Sequence, residues 1–182
     1  NSKDNSVKNI KENFPDIKVI HSEVNRGYAG GCNLGAQHAK SEYLLFLNDD
    51  TVMYENAIDI LFNMIEKNTN ISAVQPKILN YYDKDRFDYA GASGGYIDYL
   101  GYPFSRGRIF NTIEKDTQQY NDKKKIFWAS GTAIMVRKID FDSAKGFDDI
   151  FFAHQEEIDL CWKFHLLGKE VWSIPSAAIF HK

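Results

Sequence analysis

The chain has 182 residues, 43% hydrophobic and 26% charged, with a formal net charge of -3. That length and apolar content suit one globular domain with its own core, and the lack of cationic excess argues against nucleic acid as partner. No apolar run approaches the roughly 20 residues that span a bilayer, and the polar start NSKDNSVKN lacks the apolar centre of a secretory signal. Cys32 and Cys161 lie far apart, outside any paired-cysteine spacing, which speaks against a disulfide framework or zinc site and for a reducing, cytoplasmic setting.

In chain order, residues 17–21 read as a strand, followed by a Gly-rich turn and a helix ending near Ala39. Tyr43–Leu47 is a continuous apolar run of strand length, and residues 55–67 carry Ile58, Leu61, Phe62 and Ile65 at helical spacing. Residues 71–75 give a third strand, stopped by Pro76. Strand, helix, strand, helix, strand, with connections long enough for parallel crossovers, predicts an α/β fold. Between Asn80 and Lys125 the pattern weakens into loops and short strands. Order returns at 126–128 and 132–137, then in a helix over 157–167 expected to bury Ile158, Cys161, Trp162 and Leu166, with Gly168 at its C-cap. Two short strands, 171–174 and 178–180, end the reading.

Ligands of open parallel sheets bind beyond the carboxyl ends of the strands, so the loops after adjacent strands hold the candidate chemistry. The first loop, Asn25-Arg26-Gly27-Tyr28-Ala29-Gly30-Gly31-Cys32-Asn33, offers small residues and helix-start amides to a phosphate or ribose. It equally suits a tight turn whose glycines serve helix-sheet packing, and it matches neither a P-loop nor the GxGxxG of a dehydrogenase. The second, Asn48-Asp49-Asp50-Thr51, sets adjacent carboxylates after an apolar strand, as a magnesium or manganese ion requires when phosphates complete its shell. Its alternative is a plain helix cap. The third, around Glu156, Glu157 and Asp159, puts acids at a helix start behind Phe151-Phe152. The helix dipole favours acids there for structural reasons alone, while a carboxylate against an apolar wall can also act as a base. His181 stands alone beyond the last strand.

The order and wording of these pieces resemble the family-2 glycosyltransferases of GT-A fold, above all bacterial rhamnosyltransferase-like members, over nearly the whole chain. NSKDNS resembles the loop after that family's second strand, NRGYAGGCNLG its nucleotide segment, and LLFLNDDT its metal-motif strand. FWASGTAIMVRK resembles the strand lining the donor sugar, GFDDIFFAHQEEIDLCWK the acidic motif with its helix, and IPSAAIFHK the final strand with a histidine near the metal. The resemblance implies a Rossmann-like mixed sheet flanked by helices, its first strand and helix missing ahead of residue 1. It implies one catalytic domain over 1–182, with a nucleotide- and metal-binding half at 1–79 and an acceptor-binding half at 80–182.

Function follows the same resemblance. It implies inverting transfer of a sugar from a nucleoside-diphosphate sugar to a glycan or lipid-linked glycan in bacterial cell-surface polysaccharide synthesis, aided by Mg or Mn. Asp50 and His181 would hold the metal; Asn25, Gly27, Asn33, Asn48 and Asp49 the nucleotide; Trp128, Ser130 and Gly131 the donor sugar. Arg106 and Arg108 are looser candidates for the phosphates. Glu157 stands where the family usually has aspartate and is the expected base, with Glu156 and Asp159 beside it. Peripheral association with the inner face of the cell membrane and a homo-oligomer are both compatible with this reading. The competing reading is a non-catalytic sugar-nucleotide-binding or scaffold domain.

Overall fold

The computed structural model describes residues 4–182, so the first three letters of NSKDNS lie outside the described residues. A short helix α1 (Ser6–Asn13) opens the description, started by Asp4, whose carboxylate accepts from the Ser6 amide and hydroxyl at 3.0 and 2.6 Å. Then follow α2 (Gly27–His38), β1 (Tyr43–Leu47), β2 (Thr51–Met53), α3 (Ala57–Glu66) and β3 (Ile71–Asn80). A group of short strands comes next: β4 (Gly95–Ile97), β5 (Pro103–Ser105), β6 (Arg108–Ile109), β7 (Thr112–Ile113) and β8 (Lys124–Ile126). The chain ends with β9 (Ala133–Arg137), α4 (Lys138–Ser143), α5 (Glu156–Leu166) and β10 (Glu170–His181).

The main sheet runs β1-β9-β3-β10-β2, with β8 also paired to β10. It is mixed: β10 is parallel to β3, whereas β9 is antiparallel to both neighbours, and β2 and β8 are antiparallel to β10. Alternation along β1 divides the molecule into layers, because successive side chains of a strand point to opposite faces. Leu44 and Phe46 meet α2, α4 and α5 through Ala29, Phe141 and Phe164, while Tyr43 and Leu45 meet α3 through Leu61 and Ile65. The result is a three-layer α/β fold, as the pattern of elements predicts. β9 and β10, from the later half of the sequence, flank β3 at the centre of the sheet, so both halves build one layer.

Four expectations are corrected. Residues 17–21 form no strand: Ile17 is exposed, and among the described residues no strand pairs with them. Pro76 does not stop β3, which continues to Asn80 because β10 bulges between Ile174 and Ala178 opposite it. A residue without an amide hydrogen fits a sheet where its partner strand is irregular. That same bulge joins the two expected final strands into one. On α5 the buried stripe is Leu160, Cys161 and Phe164, whereas Trp162 and Leu166 are exposed. Ile158 and Cys161 of the predicted stripe do face the core, and the error lies in extending it to Trp162 and Leu166 rather than Leu160 and Phe164. Gly168 does end α5 in the left-handed region (φ +74°), its amide donating to the His165 carbonyl at 2.9 Å.

The small strands form a separate antiparallel meander, β4-β5-β6-β7. Its base is locked to the body: the Gly95 amide donates to Trp128, and the Arg106 amide and Nε donate to Gly94 and Ser93 carbonyls. Gly107 lies so close to Phe87 that an added Cβ would stand 2.6 Å from the ring.

Candidate functional site

The first cluster forms where β2 and β10 pair at the sheet edge, with His181 opposite Thr51. The turn between β1 and β2 is fixed by the Thr51 hydroxyl, which donates to the Asn48 carbonyl at 2.8 Å, and by the Lys182 amide, which donates to the Asp50 carbonyl at 3.1 Å. These bonds bring His181 Nε2 to 3.2 Å from Asp50 Oδ1. On the other side of the ring, Nδ1 is 3.0 Å from Asp88 Oδ1, whose residue is only 6% exposed. Asp88 is held in turn by the Ala90 amide at 2.8 Å. An Nδ1 hydrogen donated to Asp88 leaves the Nε2 lone pair toward Asp50. Asp50 Oδ1 is buried without a well-directed hydrogen bond despite that short approach. Two acceptors at such a distance repel unless a cation lies between them, either a proton on Nε2 or a metal ion. A divalent ion placed there would need phosphate oxygens and water to complete its shell. Among the described residues no group of three or more His, Cys, Asp or Glu side chains is arranged to hold a metal ion by itself.

The second cluster is the start of α5. Three non-glycine residues before it, Phe152, His154 and Gln155, have positive φ of 55°, 70° and 75°. Backbone strain of this kind persists only where surrounding structure holds it. Here α2 supplies the hold. Asn33 donates from Nδ2 to the Phe147 carbonyl and to Asp149 Oδ1, both at 2.8 Å, and its Oδ1 accepts from the Phe147 amide at 3.0 Å. The Ala29 amide donates to Phe152, and Gly27 (φ +66°) lies against Phe152 so closely that an added Cβ would be 2.7 Å from the ring. Asn25 Oδ1 accepts from the Gly27 amide at 3.0 Å, fixing the turn into α2.

The strained turn delivers Glu156 and Glu157 to a cavity of about 530 Å³. Glu156 is 4% exposed, and one carboxylate oxygen of each glutamate is buried without a partner. Burial pushes the Glu157 carboxyl up to about 7, and the adjacent Glu156 adds to the rise. Burial also raises Glu156. A carboxyl poised near neutrality can both accept and hold a proton. Asp159 points elsewhere: it pairs with Lys163 at 2.7 Å and does not line the cavity.

His181 and Asn48 line the same cavity, as do Trp128, Ser130 and Gly131. This last segment is fixed from behind. The Trp128 indole donates to the Tyr96 carbonyl at 2.9 Å, the Ser130 hydroxyl to Ala90 at 2.6 Å, and buried Gln75 accepts from the Ser130 amide at 2.8 Å. Tyr28 donates its hydroxyl to the Gly131 carbonyl at 2.5 Å, and burial raises its phenol, so it keeps that proton. Arg108 also reaches the cavity, its guanidinium 4.0 Å from the Tyr89 ring and donating to the Tyr89 carbonyl at 2.7 Å. Asp50 adjoins the cavity through His181, whereas Asp49 is exposed on the turn. Asn25, Gly27 and Asn33 do not line it. Both amide hydrogens of Asn33 are already used within the protein. Arg106 faces away, bonded to Asp122 at 2.9 Å.

The Glycosyl transferase family 2 profile matches residues 1–144. The chain belongs to this family. It is 24% identical to the N-acetylglucosaminyl-diphospho-decaprenol L-rhamnosyltransferase of Mycobacterium tuberculosis, over 99% of this chain and 63% of that protein. It is 28% identical to the rhamnosyltransferase WbbL of Escherichia coli K12, over 96% of this chain and 67% of that one. The crystal structure of GalNAc-T7 with UDP, GalNAc and Mn2+ superposes with a TM-score of 0.73 at 16% identity, covering 98% of this chain and 35% of that one. That likeness establishes the GT-A fold. The chain thus spans 63% of the length of the mycobacterial relative.

The family match contains Asn48, Asp50 and the Trp128–Gly131 stretch; Glu156, Glu157 and His181 lie beyond it. Asp88 and Tyr28 escaped the sequence reading. Asp88 falls where no periodicity marks an element, and Tyr28 is an ordinary aromatic in a glycine-rich loop until the fold sets its hydroxyl on Gly131. Among the described residues no helix is long and apolar enough to cross a membrane.

Proposed function

We propose that this family-2 chain transfers a sugar, with inversion, from a nucleoside-diphosphate sugar to the hydroxyl of a glycan or lipid-linked glycan acceptor. The supporting observation is one cavity that joins an acid pair with a raised pKa to His181 of the Asp50 cluster. Glu157 takes the acceptor's proton as its oxygen attacks the anomeric carbon. A sugar hydroxyl is a feeble nucleophile until a positioned base accepts that proton. Glu156 keeps the partner carboxyl less willing to ionise by its own charge. Trp128, Ser130 and Gly131 form the wall for the donor sugar, and Asn48 lies beside the diphosphate.

Asp50 and His181 would hold a magnesium or manganese ion, which when bound neutralises charge building on the departing diphosphate. Asp88 fixes the ring so that Nε2 faces that position. Asn25 and Gly27 shape the start of α2 on the nucleotide side, while Asn33 serves by anchoring the acidic turn. The 1–79 segment brings Asp50, and the 80–182 segment brings both His181 and the acid pair. Two relatives named for rhamnosyl transfer, one of them onto a diphospho-decaprenol acceptor, support a deoxyhexose donor and a lipid-borne acceptor in cell-surface glycan assembly.

A panel of nucleoside diphosphates and their sugars, each with and without manganese, tests the reading by thermal shift. Stabilisation by at least one nucleoside diphosphate, enhanced by manganese, is the expected result. A flat response to every nucleotide, with and without the ion, would overturn it.

A further inference from the structure

The β4-β7 meander has two ends of opposite character. Its lower turn, Arg106-Gly107, is locked into the body against Ser93, Phe87 and Asp122. The register pairs Ile97 with Pro103 and Ile109 with Thr112, so the turn at 98–102 and the turn at 110–111 project together from the other end. In an antiparallel meander the first and third turns must share an end, as they do here. Those turns carry Tyr99, Phe110, Tyr102, Leu100 and Ile109, which are 94%, 89%, 68%, 65% and 62% exposed. Asp98 is the one acid of the first turn, and its carboxylate is occupied by the Leu100 and Tyr102 amides at 2.8 and 2.9 Å. The two arginines of residues 95–113 lie away from these tips, Arg106 paired with Asp122 in the locked turn and Arg108 held on Tyr89.

We infer that this free end is a docking foot that seats in the headgroup region of a lipid bilayer. Aromatic side chains with an apolar body and a polar tip, together with Leu and Ile, are what a membrane-water boundary accepts. A second protein copy is a poorer match, because a stable protein interface takes roughly 20 to 30 residues a side, and two narrow turns present a handful. The foot is also continuous with the cavity. Pro103, at the foot of the first turn, and Arg108, on the strand leading to the third, both line it. A bilayer under the tips would thus lie where a lipid-borne acceptor enters. The inference rests on the acceptor reading above only for its purpose, since lipid binding is measured without any transfer reaction.

Co-sedimentation with vesicles of phosphatidylglycerol and phosphatidylethanolamine tests it, with pure phosphatidylcholine vesicles alongside. The chain should pellet with both vesicle types, because the tips bind through apolar and aromatic area rather than charge. The triple variant Tyr99→Ser, Leu100→Ser, Phe110→Ser should lower the vesicle-bound fraction by about tenfold at equal lipid, because binding follows buried apolar area. Its nucleoside-diphosphate affinity and melting temperature should match those of the parent. If the triple variant melts early, Tyr99→Ser and Phe110→Ser are measured singly, each with a smaller loss expected. A parent chain that stays in the supernatant with both vesicle types overturns the inference. So does a variant that pellets like its parent, or a parent dimer that ignores vesicles and dissociates on substitution of the tips.

Discussion

The carboxylates around His181 lie behind the wall of the cavity that Glu156 and Glu157 line, and the two pairs are built for opposite tasks. Asp50 and Asp88 flank an imidazole whose two nitrogens lie 3.2 and 3.0 Å from them, on paired strands that leave little room to adjust. Glu156 and Glu157 sit at the end of a strained turn and are pushed toward the protonated form by burial, Glu157 also by the charge of Glu156. Negative charge arranged around a fixed nitrogen suits a resident positive charge. Negative charge crowded against apolar walls suits a group that takes up and releases a proton. Burial and partner chemistry, rather than residue type, separate the roles.

The largest effect that would break this contrast is on turnover. Glu157→Gln should lower the transfer rate by about a hundredfold or more while leaving donor binding nearly unchanged, since only the transition state uses the base. Steady-state rates alongside calorimetric donor titration decide it. Near-normal turnover in that variant, with loss in Asp159→Asn, would move the base to Asp159 in spite of its Lys163 partner.

The other cluster should fail in binding instead. Asp50→Ala should weaken manganese-dependent nucleoside-diphosphate binding by more than about tenfold, measured by titration with and without the ion. Unchanged affinity would remove Asp50 from the proposed metal site. Asp88→Asn keeps an acceptor for the Ala90 amide but loses the charge that orients His181. A loss of about tenfold in manganese affinity is expected, since groups behind a metal ligand commonly matter by that order. Nitrogen chemical shifts of the His181 ring supply the independent readout: a tautomer unchanged by the substitution would show that Asp88 does not set it.

The smallest effect concerns pH and stability. The Glu157 carboxyl ordinarily titrates near 4.5 and is raised to about 7 in the folded chain. Between those values the folded state binds more protons than the unfolded one, so the group's contribution to stability is complete below about 4.5 and is lost as pH rises through about 7. Melting curves of the parent and Glu157→Gln across that interval should diverge by a few degrees, on the order set by domain size, with the variant retaining more stability at the alkaline end. Parallel curves would show that Glu157 does not carry the shift. Over the same range transfer should rise with pH, because the base must be ionised to act.

Local sequence was enough to place the pieces of this site but not to join them. YLLFL reads as a strand, the acids after it as metal ligands or a helix cap, and Glu156, Glu157 and Asp159 as the start of a helix capped by Gly168, because apolar runs, breakers and caps act through neighbouring residues. The resemblance in motif order added the family and the fold. Tertiary structure alone decided that β10 runs unbroken past Pro76 and lays His181 beside Thr51, between Asp50 and Asp88. It also decided that Asn33 ties down the acidic turn and that Asp159 turns to Lys163, away from the cavity. Finally, it gathered two unremarkable stretches of aromatic residues at one free end of the small sheet. Those outcomes depend on strand pairing and helix docking between residues as much as 133 positions apart, as for Asn48 and His181. Periodicity over a few turns carries no record of such partners, because it reports which face of an element is buried and not what buries it.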